Sequence, residues 1–319
     1  MAVALSIGQM IYIRFSLTRN MLRLAGGVEG AYQLMLLLPG LTISWNSLPY
    51  ILLSMAVLVI SHEAAHGIAT IVEGIPVKSS GVFLAVVVPG GFVELDEKRL
   101  EEAEPQAQLR IFSAGSAANL ALGMIFLLLL VGFPYTLTPF YRATAQGVMV
   151  ISIVEESGAA QAGLTPWIVI TGINGTDIWD TSDLTEYMKH TNPNLTLALS
   201  TDKGQILVTT RPHPANHSMG MIGIIPFEYY PPGFHWMPKQ LPYHIYVTEY
   251  WMNTLLISIA LINMLPLYPL DGGRVLASIL KMLSVKNVDR VKLFMSIFSA
   301  GILAVNMILS VSRFGIGKI

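Results

Sequence analysis

Of 319 residues, 53% are hydrophobic and 12% are charged, about half the charged fraction of an ordinary soluble domain, so lipid is the main solvent for much of the chain. A formal net charge of -1, with no cluster of Lys and Arg, excludes a nucleic-acid partner, because neutralising phosphates needs concentrated positive charge. The absence of cysteine excludes disulfides and any thiolate-bound metal.

A helix needs about 20 mostly apolar residues to cross the hydrocarbon core. The chain opens on a short apolar stretch, Met1 to Phe15, with no basic residue before it and no small-residue cleavage signal behind Ile13. It reads as a retained membrane segment and not as a removed signal peptide. Tyr32 to Trp45 is a second short apolar run, broken by Pro39 and Gly40. Four longer segments qualify or nearly do: Leu48 to Ile71, Leu109 to Phe133, Val247 to Leu265 and Val291 to Val311. The expected number of transmembrane helices is therefore about five to six. Between Ser80 and Leu95, Val, Phe, Leu and Ala are followed by Pro89-Gly90-Gly91. This pattern reads as two strands around a turn, a β-hairpin associated with the membrane.

From Val148 the chain turns soluble in character. Val148, Val150, Ile151 and Ile153 begin a strand, and Ser157 to Leu164 suggests a short helix and turn. Ile168 to Ile173 with Asn174-Gly175 makes a second strand and tight turn, Thr181 to His190 a helix, and Leu195 to Ser200 with Gln205 to Arg211 a closing pair of strands. Roughly seventy residues of this kind suffice for one small α+β domain. The stretch 214–246, rich in Pro, Tyr and His and holding Trp236, has no clear period and is expected to be a linker on the bilayer surface, where aromatics are favoured. The expected organisation is thus a membrane half over 1–141, an inserted domain over 142–213, the linker, and a second membrane half over 247–319.

The residues that carry chemistry are Ser61-His62-Glu63-Ala64-Ala65-His66, at the end of an uncharged apolar run. Four residues is about one helical turn, so His62 and His66 project from one face and can meet a single zinc ion. Beside such a pair, Glu63 is placed to take the proton from the water that attacks a carbonyl. A carboxylate inside a membrane helix is expensive and marks function by default. His213 and His217 share the spacing, but Pro214 lies between them and no glutamate does, so that segment reads as loop.

Zinc needs a third protein ligand if its fourth position is to stay open. The candidate is Asp271, in Asn263-Met264-Leu265-Pro266-Leu267-Tyr268-Pro269-Leu270-Asp271-Gly272-Gly273-Arg274. Two prolines break the helix there, and irregular backbone at membrane depth is tolerated only where protein or a water-filled cavity surrounds it. The other reading makes Asp271 the cap of the helix that follows.

At this point the sequence resembles the site-2 protease group of intramembrane zinc metalloproteases. That pattern, a pair of histidines around a glutamate in one membrane helix and a distant Leu-Asp-Gly in another, is matched by His62, Glu63, His66 and by Leu270, Asp271, Gly272. Leu109 to Asn119 is similar to the family's intervening helix, whose Gly and Asn lie near the active site. The inserted domain is similar to a PDZ domain of the circularly permuted type in Ala162-Gly163-Leu164 and Ile173-Asn174-Gly175, but carries Trp167-Ile168 where many have Gly-Asp. The resemblance implies zinc as cofactor, peptide-bond hydrolysis within or beside transmembrane segments of single-span membrane proteins, and a peptide or protein ligand for the PDZ-like domain. It also implies that Asn119 and Asn263 hydrogen-bond the substrate backbone or the developing oxyanion. The competing role for either is to join helices.

A transmembrane substrate hides its carbonyls in its own helix, so cleavage needs local unwinding and new partners for the freed backbone. The hairpin offers a strand edge, and Ala85, Val86, Val87 and Val88 are the expected pairing residues. Lys281, Lys286, Arg290 and Lys292 lie in a short connection on the active-site side, and short basic loops face the cytoplasm. The inserted domain then lies outside the cytoplasm, as do the Asn-X-Ser/Thr triplets at Asn174, Asn194 and Asn216. Two other function classes fit parts of the pattern: a catalytically silent membrane scaffold with a PDZ-like module, and a metal transporter, because broken helices and intramembrane carboxylates also mark ion pathways.

Overall fold

Helix α1 (Ala2–Ala25) buries Ser6, Gln9, Met10, Ile13, Leu17, Asn20 and Leu24, a stripe at three- and four-residue spacing that faces the protein. It continues ten residues past Phe15, the end of the apolar run, because the polar residues that follow fall on positions the helix can use. In the computed structural model, which describes residues 1–85 and 88–316, α1 belongs to a unit made of residues 1–130 and the chain from 247 onward, while residues 131–246 form a second unit.

The apolar run Tyr32 to Trp45 is not helical until its last residue, Trp45, which opens a single 3-10 turn ahead of the next helix. Pro39 lacks a donor and Gly40 takes φ 78°, so no helical ladder forms. Side chains serve its backbone instead. Asn20 donates to Tyr32 O and accepts from Tyr32 N, both at 2.9 Å. Ser310 Oγ accepts from Leu34 N at 3.0 Å, and Thr42 Oγ1 accepts from Leu38 N at 2.7 Å. Such substitution is what irregular backbone in an apolar setting requires.

Helix α2 (Leu48–Val72) starts on Pro49 in its first turn, where a missing N–H costs nothing. Strands β1 (Val77–Ala85) and β2 (Val88–Leu95) form the expected antiparallel hairpin, in register from Ser79 opposite Glu94 to Ala85 opposite Val88, with a shift between Val77 and Ser79. Val86 and Val87, two of the four expected pairing residues, lie outside the described residues. Phe83 lies over Gly90 and Phe92 over Gly81, each ring covering the glycine across the strands. A short helix α3 (Glu97–Glu102), with Asp96 as its cap, occupies the acidic stretch and leads into α4 (Pro105–Val131). Arg110 on α4 grips Glu73 at the end of α2 with two hydrogen bonds of 2.5 and 2.7 Å.

The second unit begins with a helical turn α5 (Phe133–Thr136) and holds β3 (Val148–Ile153), α6 (Gly158–Gln161), β4 (Val169–Ile173), β5 (Thr176–Asp177), α7 (Thr181–Lys189), β6 (Thr196–Thr201), β7 (Gly204–Thr209), β8 (Arg211–His213), β9 (Asn216–Met221) and β10 (Ile224–Glu228). Its main sheet runs β10-β3-β4-β6-β7, with β5 paired to β4 and a separate β8-β9 hairpin. Val148, Val150, Ile170, Ile173, Leu199 and Val208, all fully buried, form the core with α6 and α7 packed on it. Trp167 takes the left-handed φ of 71° at the turn where a glycine was expected, so the turn forms with a bulky residue in it.

The expectation of an irregular linker over 214–246 is corrected here. β9 and β10 lie inside that stretch, and β10 supplies an edge of the main sheet by pairing with β3. Gly220, Gly223 and Pro226 hide the strand pattern, and Pro226 is accommodated where the register shifts at a sheet edge. The ends of this insert meet, since Arg142 N donates to Pro231 O at 3.0 Å.

Three helices close the chain: α8 (Leu241–Asn263), α9 (Asp271–Met282) and α10 (Val288–Phe314). Gly123 on α4 lets α8 approach until a Cβ there would stand 2.6 Å from Ile257 Cγ1, and Asn253 donates to Gly123 O at 2.9 Å. Small residues and amide bonds join membrane helices in this way. Asn306 of α10 donates to Leu17 O at 3.0 Å and accepts from Asn20 at 3.1 Å. Four helices, Trp45–Val72, Pro105–Val131, Leu241–Asn263 and Val288–Phe314, are long and apolar enough to cross a membrane, yet only 22–33% of their most apolar windows is buried in the protein. The remaining apolar faces need lipid, and the chain is an integral membrane protein.

Candidate metal centre

Helix α2 turns one face inward, and Ile51, Ser54, Leu58 and His62 are buried along it. His66 follows one turn after His62. The third residue arrives from the far end of the chain. After Asn263 the chain leaves α8 through Met264-Leu265-Pro266 and restarts as α9 at Asp271. A Cβ on Gly272 would stand 2.3 Å from Leu265 O and 2.4 Å from Met264 C. Only glycine lets the first turn of α9 press onto this bend, and that contact carries Asp271 to α2.

His62 Nε2, His66 Nε2 and Asp271 Oδ2 form a triangle with every edge 3.1 Å. All three side chains are nearly buried, at 10–12% exposure. Nδ1–H of His66 donates to the carbonyl of Ile111 on α4 at 2.8 Å, which leaves its Nε2 without a proton. The carboxylate has none either. At most one proton, on His62, would serve three contacts, whereas a cation at the centre satisfies all three. Ligand atoms on a tetrahedral zinc with bonds of about 2.0–2.2 Å stand roughly 3.3–3.6 Å apart, so two imidazoles and a carboxylate at this spacing fit zinc with little adjustment. Glu63 stands outside the group. Its carboxylate, half-buried, lines a cavity of about 460 Å³ between α2 and the hairpin, whose other walls include Ile60, Ala64, Ile68, Val82 and Phe92.

The family model described as peptidase family M50 matches residues 50–305, a span that contains the whole triangle and Glu63. The chain belongs to peptidase family M50. Among curated relatives of this M50 protein is a membrane-bound transcription factor site-2 protease homolog of Arabidopsis thaliana, 29% identical over 46% of the chain and 28% of the relative. An uncharacterized protein of Methanocaldococcus jannaschii is 29% identical over 70% of the chain and 55% of its own length. The chain thus spans about a quarter and about half the length of these two relatives. Among solved structures, the PDZ domains of SdrC-like proteins from Listeria innocua and Listeria monocytogenes align at TM-scores of 0.23 and 0.24, with 20% and 22% identity, over 26% of this chain and 96% and 90% of theirs.

Of the other expected site residues, Asn119 is fully buried beside the triangle of His62, His66 and Asp271, its amide 2.8 Å from Ser61 Oγ and 3.2 Å from His62 Nδ1. Asn263 is half-buried at the end of α8 and makes no side-chain hydrogen bond among the described residues. Ala85 and Val88 face each other at the end of the hairpin. The spacing of histidines gave no hint of two further contributors. One is the Ile111 carbonyl, a backbone atom any residue supplies. The other is Gly91, where a Cβ would stand 2.8 Å from Val59 Cγ1 and 3.5 Å from Glu63 Cγ, so its absence lets β2 lie against this face of α2.

Gly115 on α4 sets the room for both imidazoles. A Cβ there would stand 2.5 Å from His66 Nε2 and 2.6 Å from His62 Cε1. Gly115→Ala is therefore expected to displace the rings by the better part of an ångström and to lower turnover about 100-fold, with the helices intact by circular dichroism. Wild-type activity in this variant would show that the rings are not held against α4.

Proposed function

We propose that this protein is a zinc-dependent intramembrane endopeptidase that hydrolyses peptide bonds within or next to transmembrane segments of single-span membrane proteins, the step that defines regulated intramembrane proteolysis. The observation that carries the reading is the triangle of three ligand atoms, of which at most one carries a proton, with a separate carboxylate, Glu63, beside it in a largely apolar groove. His62, His66 and Asp271 would hold zinc, which when bound supplies Lewis-acid activation of water and of the carbonyl. Glu63 takes the proton from the attacking water and passes it to the leaving amine. The amide of Asn263 is free to donate to the substrate backbone or the oxyanion.

The hairpin supports a way to present the substrate. β1 and β2 pair only with each other among the described residues, so an edge remains open. A substrate unwound at the cut adds as one more strand near Ala85 to Val88, which partners its freed N–H and C=O groups and keeps the carbonyl extended. The basic connection between α9 and α10 argues for an active site on the cytoplasmic side and an extracytoplasmic insert. The insert, PDZ-like in its motifs, filters substrates by binding a peptide or protein, and takes no part in bond cleavage.

The test is hydrolysis of a labelled single-span protein by the full chain in bilayers. Cleavage should stop with a zinc chelator and return with zinc. It should survive replacement of residues 143–230 by a short Gly-Ser linker, because Arg142 and Pro231 are already hydrogen-bonded neighbours. A zinc-loaded protein that cleaves no membrane substrate would instead favour the scaffold or the transporter.

A further inference from the structure

The environment of Asn119 is settled by counting protons. Ser61 Oγ lies 3.0 Å from Leu58 O and 2.8 Å from the Asn119 amide. The hydroxyl has one proton, and the Leu58 carbonyl, which can only accept, takes it. The structure places Asn119 Oδ1 toward Ser61 Oγ and Nδ2 toward His62 Nδ1; with the Ser61 proton on Leu58 O, turning the amide by a half turn lets Ser61 Oγ accept from its NH2 and sets its oxygen toward His62. The two orientations of an amide differ by a half turn that leaves its outline unchanged, and the hydrogen-bond network decides between them. In this one, Nδ1–H of His62 donates to the Asn119 oxygen at the 3.2 Å separation, and the Ser61 and His62 protons each have an acceptor of their own. The opposite orientation would force the His62 proton onto Nε2, into the triangle with His66 Nε2 and Asp271 Oδ2.

We infer that Asn119 is a positioning residue for the metal ligand His62, accepting from its Nδ1–H so that Nε2 stays bare toward the metal, as the Ile111 carbonyl does for His66. Asn119 is fully buried, and both ends of its amide are engaged, so it does not reach substrate. This replaces the substrate or oxyanion role expected for it. Partners of this kind fix the ring and the tautomer of a ligating histidine, and their loss costs roughly 10–100-fold in metal affinity.

The inference rests on the metal-centre reading, and the experiment separates the two. Zinc affinity of the full-length protein in detergent is measured by competition with a chromophoric chelator for the wild type, Asn119→Leu and Asn119→Asp, each checked for an unchanged melting profile. Asn119→Leu should bind zinc roughly 10–100-fold more weakly. Asn119→Asp, which can still accept from Nδ1–H, should stay within a few-fold of wild type, a rescue that a packing role would not produce. The inference is overturned if Asn119→Leu keeps wild-type zinc affinity while losing turnover, which would return the residue to the substrate, or if Asn119→Asp falls as far as Asn119→Leu. A wild type that binds no zinc overturns the metal-centre reading, and this inference with it.

Discussion

Glu63→Gln should leave the protein folded and loaded with about one zinc while slowing hydrolysis of a membrane substrate by roughly 10²–10⁴-fold, the usual contribution of a general acid–base group. The two expectations have separate origins. Metal retention follows because Glu63 lies outside the group formed by His62, His66 and Asp271. Loss of turnover follows because glutamine keeps the size of the side chain, and so its packing beside Gly91, but cannot take up a proton. Metal analysis and single-turnover cleavage on the same preparation check both. Full activity would remove Glu63 from the mechanism, and loss of zinc would make it a ligand.

Asp271→Ala is expected to give the other pattern, in which zinc and activity fall together. Removing the carboxylate leaves two imidazoles with no anionic partner, at a site already 10–12% exposed and unable to recruit much solvent. Loss of a direct ligand should exceed the effect of losing an outer partner, so the drop in zinc affinity is expected to be more than about 100-fold. Excess zinc should restore part of the lost turnover, which separates a weakened site from a misfolded one. If the variant holds zinc as tightly as the wild type, some group other than Asp271 completes the centre.

Much of this site is legible in the sequence because its elements obey local rules. His62 and His66 announce themselves by one-turn spacing beside a carboxylate in an apolar run, and Asp271 by a helix broken at Pro266 and Pro269. What stays hidden depends on atoms with no sequence signature. The Ile111 carbonyl orients His66 through a backbone group, and the part played by Gly115 is visible only once α4 is laid against α2. The same division holds for the fold. The four longer apolar segments are helices because length and composition alone determine them. Tyr32 to Trp45 escapes a reading by composition, since its backbone partners include Asn20, twelve residues before Tyr32, and Ser310 near the other end of the chain. β10 escapes because a strand that contains Pro226 is recognisable only from its pairing with β3.

The hairpin has a kinetic consequence. It is two strands wide, and most of β1 is exposed, so little buried area opposes the opening of β1. Any chain that docks along β1 or β2 must bear the cost of holding the hairpin still, which subtracts from affinity. On the proposed function, a peptide bound there would leave readily once cut, and a loosely held edge would keep the site clear of a product as apolar as a membrane helix.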